Sequence, residues 1–210
     1  MDDRAARLDD LQQAIRACTR CVEAGYIPLA NPLVRGHLGV RGMLIGQAPG
    51  PRAEHTLTPW SGPSGKLLRA WFARAGLDPD RFLDDWYFAA LTRCFPGKAA
   101  AGPGDRVPSR AEQALCRPHL DAELALVQPP VIVTLGRHAA DAFVPGARGR
   151  PLRDLIGAVA WTDLGYGEVA IVPLPHPSGV GRWLNDPANR ALVDRAMDEL
   201  RTLLAERSPA

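Results

Sequence analysis

The sequence predicts an α/β fold: a single-domain, three-layer α/β/α sandwich around a central, mainly parallel four-stranded sheet. Three observations predict it. Short apolar runs recur along the chain, as strands buried on both faces should. Segments with apolar residues at helical spacing alternate with those runs. Turn chemistry rich in Gly and Pro follows the strand-like runs, and neither an internal repeat nor a second domain is evident. At 210 residues the chain is long enough for one substantial core, so residues 1–210 are expected to form one unit.

The elements follow in order. Leu8, Leu11 and Ile15 recur at helical spacing and predict an N-terminal helix ending near Cys18. "AGYIPLANPLVRG" is a Pro/Gly-rich connection, "MLIGQA" reads as a buried strand, and residues 50–62 read as loop. "GKLLRAWFARAGL" puts Leu67, Leu68, Trp71, Phe72 and Ala75 on one helical face, with Ser64 as the expected N-cap and Gly76 just past the C-terminus. "WYFAALT" reads as the second strand, and "FPGKAAAGPGDRVP" as a flexible excursion. Ser109 and Glu112 form an S-x-x-E capping box opening a helix that carries Leu115, Leu120, Leu124 and Val127. "VIVTLG" is the third strand, followed by a short helix over 137–143. "VAIVPLPHP" is the fourth, running into a loop. Asp186 caps a last helix with Pro187 at its first position, and Leu192, Val193, Ala196, Met197 and Leu200 face inward.

Composition is that of an ordinary globular protein, 46% hydrophobic and 23% charged. The net charge of +2 gives no argument by itself for a nucleic-acid partner. Lys66 and Lys98 are the only lysines; the arginine excess fits a coding bias, and guanidinium forks also suit phosphate. The start, "MDDRAARLDD", has no apolar core of a signal peptide, and no window is apolar for the length that spans a bilayer. A cytoplasmic protein without a membrane partner is expected. In a reducing compartment its four cysteines read as metal ligands or free thiols before disulfides.

Cys18 and Cys21 form C-x2-C at a helix end, Cys94 closes the second strand, and Cys116 lies inside the capped helix. Those elements can meet at one sheet edge. Four thiolates suit zinc or an iron–sulfur cluster. One knuckle plus two distant cysteines is looser than the paired knuckles zinc favours. On spacing alone, Cys94 and Cys116 as merely buried apolar thiols remain an equal reading.

In open parallel sheets ligands sit beyond the carboxyl ends of the strands, and the unusual loops all lie there: after Ile45, after Thr92 and after Leu174. "WSGPSGKLL" is not a phosphate loop, because Trp60 stands at the first glycine and Leu67 follows the lysine. No G-x-S-x-G elbow and no H-E-x-x-H exists. What remains is "GQAPG" (46–50), "TPWSG" (58–62) and "HPSG" (176–179). In the first, Gly46, Ala48 and the proline bend leave backbone amides free to face a ligand. Trp60 beside Pro59 offers a flat face for stacking on a base. His176 before Pro177 can donate a hydrogen bond to a carbonyl gaining negative charge. Ser178 and the Gly179 amide suit a phosphate. Singly, a tryptophan such as Trp60 is more often a packing residue and a histidine before proline more often a turn residue; their order round one sheet edge is the signal.

These segments resemble the iron–sulfur branches, families four and five, of the uracil-DNA glycosylase superfamily. "CTRC" resembles their N-terminal cysteine pair, and "GQAPGPRAEHTLTPWSGPSGKLL" follows their first motif without a gap. "AALTRC" resembles the strand bearing their third cysteine, "VPSRAEQALC" their fourth-cysteine helix, and "HPSG" their final DNA-contact motif. The resemblance implies a 4Fe–4S cluster on Cys18, Cys21, Cys94 and Cys116, held by an N-terminal cluster-ligating helix, with zinc as the alternative. It implies a monomer that flips uracil, or another deaminated base, out of single- or double-stranded DNA and hydrolyses its N-glycosidic bond. Trp60 would stack on the base in a pocket floored by Gly46, Ala48 and Ala90. His176 would stabilise the leaving base and Gln47 would place the water. Pro59, Ser178, Gly179 and Arg182 would contact DNA.

The chain also departs from both branches. Gln47 replaces the glutamate of family four, Ala90 its asparagine, and Pro63 stands where family five has an aspartate. With no carboxylate at either position, the second expectation is an Fe–S protein that binds damage or abasic sites without turnover. The stretch after the third cysteine has no histidine, which speaks against covalent trapping through that loop.

Overall fold

A computed structural model describes residues 3–102, 104–178 and 182–207. One sheet contains β1 (Gly42–Gly46), β2 (Trp86–Ala90), β3 (Val131–Leu135), β4 (Ala160–Asp163) and β5 (Glu168–Leu174), in the order β2-β1-β3-β5-β4. The first four of that order run parallel, and β4 pairs antiparallel with β5. The sheet therefore has five strands where four are expected. β4 escapes notice because it is only four residues long and lies at the edge, alternating half-buried and exposed. Its hairpin signal is in the turn: the Asp163 carboxylate accepts from the Gly165 amide at 2.7 Å.

Among the described residues eight α-helices flank the sheet: α1 (Asp3–Arg16), α2 (Arg20–Glu23), α3 (Pro51–Thr56), α4 (Pro63–Arg74), α5 (Phe82–Asp85), α6 (Arg110–Val127), α7 (Arg137–Phe143) and α8 (Pro187–Glu206). The expected three layers are present. Leu68, Trp71 and Phe72 of α4 and Val193, Met197 and Leu200 of α8 pack on one face with Leu44, Val133 and Val172. Leu8 and Ile15 of α1, Leu120 and Leu124 of α6 and Phe143 of α7 cover the other, against Met43, Ile132 and Ile171. Alternate strand residues thus point to opposite cores, so β1, β3 and β5 read as unbroken apolar runs. Each such aliphatic side chain contributes about 1.5–3 kcal/mol on burial.

Capping follows local chemistry. Ser109 and Glu112 make the reciprocal capping box of α6, at 3.2 and 2.7 Å. Asp186 caps α8 by accepting from the Ala188 amide at 2.9 Å. The expected cap at Ser64 is wrong: α4 starts at Pro63, with Gly62 as N-cap. Proline at the first helical position has its φ preset and loses no needed N–H, so it takes the start from serine. The stretch read as loop after Gly50 contains α3, again started by a proline. β2 stops at Ala90, two residues earlier than expected.

The parallel order brings three carboxyl ends together. The chain leaves β1 toward the α4 face and leaves β3 toward the α7 face, which opens a crevice beyond the strand ends. The turn after β1 is pinned to the exit of β2, where Leu91 and Thr92 donate to the carbonyls of Gly46 and Gln47 at 3.0 and 3.2 Å.

Candidate active site and cysteine pocket

A cavity of about 590 Å³ occupies that crevice. Gly46 lines it from the end of β1, Gln47 and Ala48 from the turn after it, Ala90 from β2, and Pro59 and Trp60 from the loop before α4. His176 and Ser178 close it from the β5 exit. Gly179 lies outside the described residues. Arg182 opens a 3₁₀ turn over Arg182–Asn185, and only its backbone is described.

Trp60 and His176 meet across this space, with ring centroids 5.7 Å apart and planes tilted by 44°. Trp60 has φ +54°, a left-handed conformation that a bulky residue adopts only when its surroundings impose it. They do so here. The Arg69 guanidinium donates to the Trp60 carbonyl at 3.1 Å. Gly65, in the first turn of α4, lies so close beneath that a β-carbon would fall 1.7 Å from the same carbonyl oxygen. The indole lies over Gly46, where a β-carbon would stand 3.6 Å from the ring. Glycine at 46 therefore keeps the cavity floor open beside the ring.

His176 stands over Gly136, whose absent β-carbon would lie 3.4 Å from the histidine Cβ. The imidazole is open to the cavity, yet the protein atoms crowded round it push its pKa below the ordinary value of 6.5, while Asp105 pulls the other way. The ring is accordingly neutral near pH 7 and can donate one N–H. The Gln47 amide nitrogen donates to the Arg106 carbonyl at 3.4 Å, which leaves its oxygen as the free acceptor.

Sequence reasoning missed Arg52, Lys98 and Asp105, which also line the cavity. Lys98 and Asp105 belong to the stretch read as a flexible excursion. It is instead tied into a hairpin by a bridge between these two residues. The flanking Gly97 and Gly104 are the only sequence signal for that closure.

The four cysteines line a second, separate pocket. Cys18 follows α1, Cys21 sits in α2, Cys94 follows β2 and Cys116 lies in α6. Among the described residues no three His, Cys, Asp or Glu side chains close up as a single-ion site. Burial raises the Cys94 thiol to about 12 and also raises Cys21 and Cys116. Such thiols ionise when a cationic centre displaces their protons. Thr92, Arg93 and His119 line the same pocket, and Thr92 Oγ1, Arg93 Nε and His119 Nε2 are buried without a hydrogen-bond partner among the described residues. Three orphaned groups able to donate, round four sulfurs, fit a cofactor that brings acceptors of its own.

Arg93 lines both cavities. It is ion-paired with the fully buried Glu123 of α6, which also accepts from the Tyr87 hydroxyl at 2.8 Å. Gln12 of α1 donates to that hydroxyl in turn, at 3.3 Å. One buried polar chain thus runs from the N-terminal helix to the wall between the pockets.

Residues 34–201 match the family model of the uracil DNA glycosylase superfamily. The chain belongs to that superfamily. Among similar proteins is the type-4 uracil-DNA glycosylase of Thermotoga maritima, 26% identical over 195 residues, 92% of this chain and 93% of that one. The type-4 uracil-DNA glycosylase of Pyrobaculum aerophilum is 28% identical over 185 residues, 87% of each chain. That of Archaeoglobus fulgidus is 31% identical over 137 residues, 63% of this chain and 61% of its own. The superfamily match takes in Cys94 and Cys116 and every described residue of the crevice except Leu33, while Cys18 and Cys21 precede it.

Proposed function

We propose that this protein is a DNA-repair glycosylase that hydrolyses the N-glycosidic bond of uracil in DNA after the nucleotide is flipped out. The observation that carries the reading is the meeting of Trp60 and His176 across one crevice, 5.7 Å apart, from segments over a hundred residues apart in sequence. Extraction from the stack is required because the glycosidic bond is out of reach within a duplex. The indole, held in its strained conformation, offers the everted base a flat surface. The neutral imidazole donates to the pyrimidine O2 as negative charge moves onto the departing base. Gln47, its nitrogen occupied by Arg106, presents its oxygen to the attacking water. Pro59, Ser178, Gly179 and Arg182 take the DNA backbone beside the lesion, and Arg52 and Lys98 at the same cavity add cationic partners for phosphate.

Cys18, Cys21, Cys94 and Cys116 would hold a 4Fe–4S cluster. The chemistry of the donor set and the three orphaned groups support this. When bound, the cluster cross-links the N-terminal turn, the β2 exit and α6; hydrolysis requires no electron from it.

The test is excision of uracil from single-stranded and duplex oligonucleotides under multiple-turnover conditions. The expected outcome is repeated turnover by the wild type and a loss of about 10²–10³-fold in rate for His176→Ala, the cost typical of one lost oxyanion donor. Stoichiometric retention of DNA without base release would refute the enzyme reading in favour of a damage-binding protein.

A further inference from the structure

Hydrolysis needs a group to accept the proton of the attacking water, and an amide such as Gln47 has no basic site for it. Among the described residues lining the crevice, Asp105 is the only carboxylate. Its placement is built by the surrounding hairpin. Ala99 donates to the Gly104 carbonyl at 3.1 Å, and Arg106 to the Gly97 carbonyl at 2.9 Å. The Arg106 side chain then fastens the hairpin to α6, with two 2.7 Å bonds to Glu112, and to the Pro96 carbonyl at 2.9 Å.

Both carboxylate oxygens have a defined surrounding. Oδ1 accepts from Lys98 Nζ at 2.7 Å. Oδ2 faces the last residue of "GQAPG": a β-carbon on Gly50 would stand 3.7 Å from it. The residue after Asp105 supplies the carbonyl that orients Gln47. One hairpin thus carries the carboxylate and orients the amide, and the charge of Asp105 is felt at His176.

We propose that Asp105 is the catalytic base of this enzyme, standing in for the carboxylate missing at positions 47 and 63. The assignment rests on the glycosylase reading above. Water held by Gln47 attacks C1′ of the flipped deoxyuridine. The C1′–N1 bond breaks and its electron pair leaves on uracil N1, with the developing charge at O2 met by the His176 N–H. The proton of the water passes to the free Asp105 oxygen, and from there to solvent or to the departing uracil anion. The products are an abasic sugar and uracil, so atoms and charge balance. Lys98 acts as a positioning residue that fixes the other oxygen.

Single-turnover excision by wild type and Asp105→Asn tests this. The amide is isosteric and the pair with Lys98 lies at the surface, so the variant is expected to unfold at the wild-type temperature. Its rate is expected to fall about 10²–10⁴-fold, the usual weight of a positioned base. Its affinity for a duplex with a non-hydrolysable 2′-fluorinated deoxyuridine should stay within about threefold of wild type. A variant rate within about threefold of an active wild type overturns the assignment, as does a loss matched by lost affinity, which would make Asp105 a DNA contact. A wild type that releases no uracil from any substrate overturns the glycosylase reading itself, and the assignment with it.

Discussion

Trp60 is held in a conformation that costs a bulky residue on the order of 1–3 kcal/mol, and such strain persists only where neighbours over-determine it. Gly65 is the tightest of those neighbours. A methyl group there would meet the Trp60 carbonyl oxygen at 1.7 Å and its carbon at 2.5 Å, and both are backbone atoms without freedom to turn aside. Gly65→Ala is therefore expected to push the indole out of register with His176. It should destabilise the protein by about 1–3 kcal/mol, as other overpacked sites do, and lower uracil excision at least tenfold (about 1.4 kcal/mol) at temperatures where the variant is folded. Gly46→Ala is the informative partner, because its added carbon would meet the ring at an ordinary 3.6 Å and should leave the melting temperature near wild type. Thermal unfolding beside single-turnover kinetics separates the two. Equal melting temperatures for Gly65→Ala and wild type would show that the clash is relieved without moving Trp60.

Among the elements, the hairpin before α6 joins the crevice to the cysteine pocket, and its anchor is electrostatic. Arg106 above all, then the Ser109 cap, holds the Glu112 carboxyl at about 2, well below the ordinary 4.5. In the unfolded chain the same group takes up its proton nearer 4.5. The anchor's contribution to stability is thus complete above that pH and is lost as pH falls from about 4.5 toward 2. With Glu112 buried, the contribution is of order 2 kcal/mol. Urea unfolding of Glu112→Gln is expected to show lower stability than wild type at pH 7 and convergence with it toward pH 2; parallel curves would refute the anchor. The same segment marks how far sequence reached. Ser109, Glu112, Trp60, His176 and the four cysteines were legible because each sits at fixed spacing from a motif or cap. Asp105 and Lys98 were not, because their importance arises only when a Gly-flanked loop folds back over the crevice, and no periodicity encodes that. β4 was missed for a similar reason: four edge residues carry too little apolar alternation to announce a strand. The start of α4 was misplaced because serine and proline both signal a helix start, and the proline won.

Taken as a whole molecule, the chain ties its N-terminal part to the sheet in two different ways. α1 is held by packing, through Leu8 and Ile15 in the core and through Arg4, which donates to the Leu126 carbonyl. Residues 17–32 have little of that: Ile27 is their one buried hydrophobic side chain, beside the buried Pro32. Side-chain bonds such as Asn31 to the Glu54 carbonyl at 2.6 Å tie the segment down in part, and the proposed cluster on Cys18 and Cys21 would supply much of the rest. Arg93 carries the consequence onward, since it walls both the cysteine pocket and the crevice, with Leu33 donating to its carbonyl at 2.8 Å. Removing the proposed cluster by anaerobic chelation should therefore not unfold the sheet. Hydrogen exchange is expected to quicken over 17–32 and 92–108, while β1, β3, β5 and α8, buried by their own packing, keep their protection. Uracil excision should fall with it, because the exit of β2 lines that pocket and the hairpin bearing Asp105 is fastened through Arg106 to Glu112 in its wall. Exchange that quickens evenly across the molecule would mean that the cysteines hold the whole fold, and unchanged exchange would mean that they hold none of it.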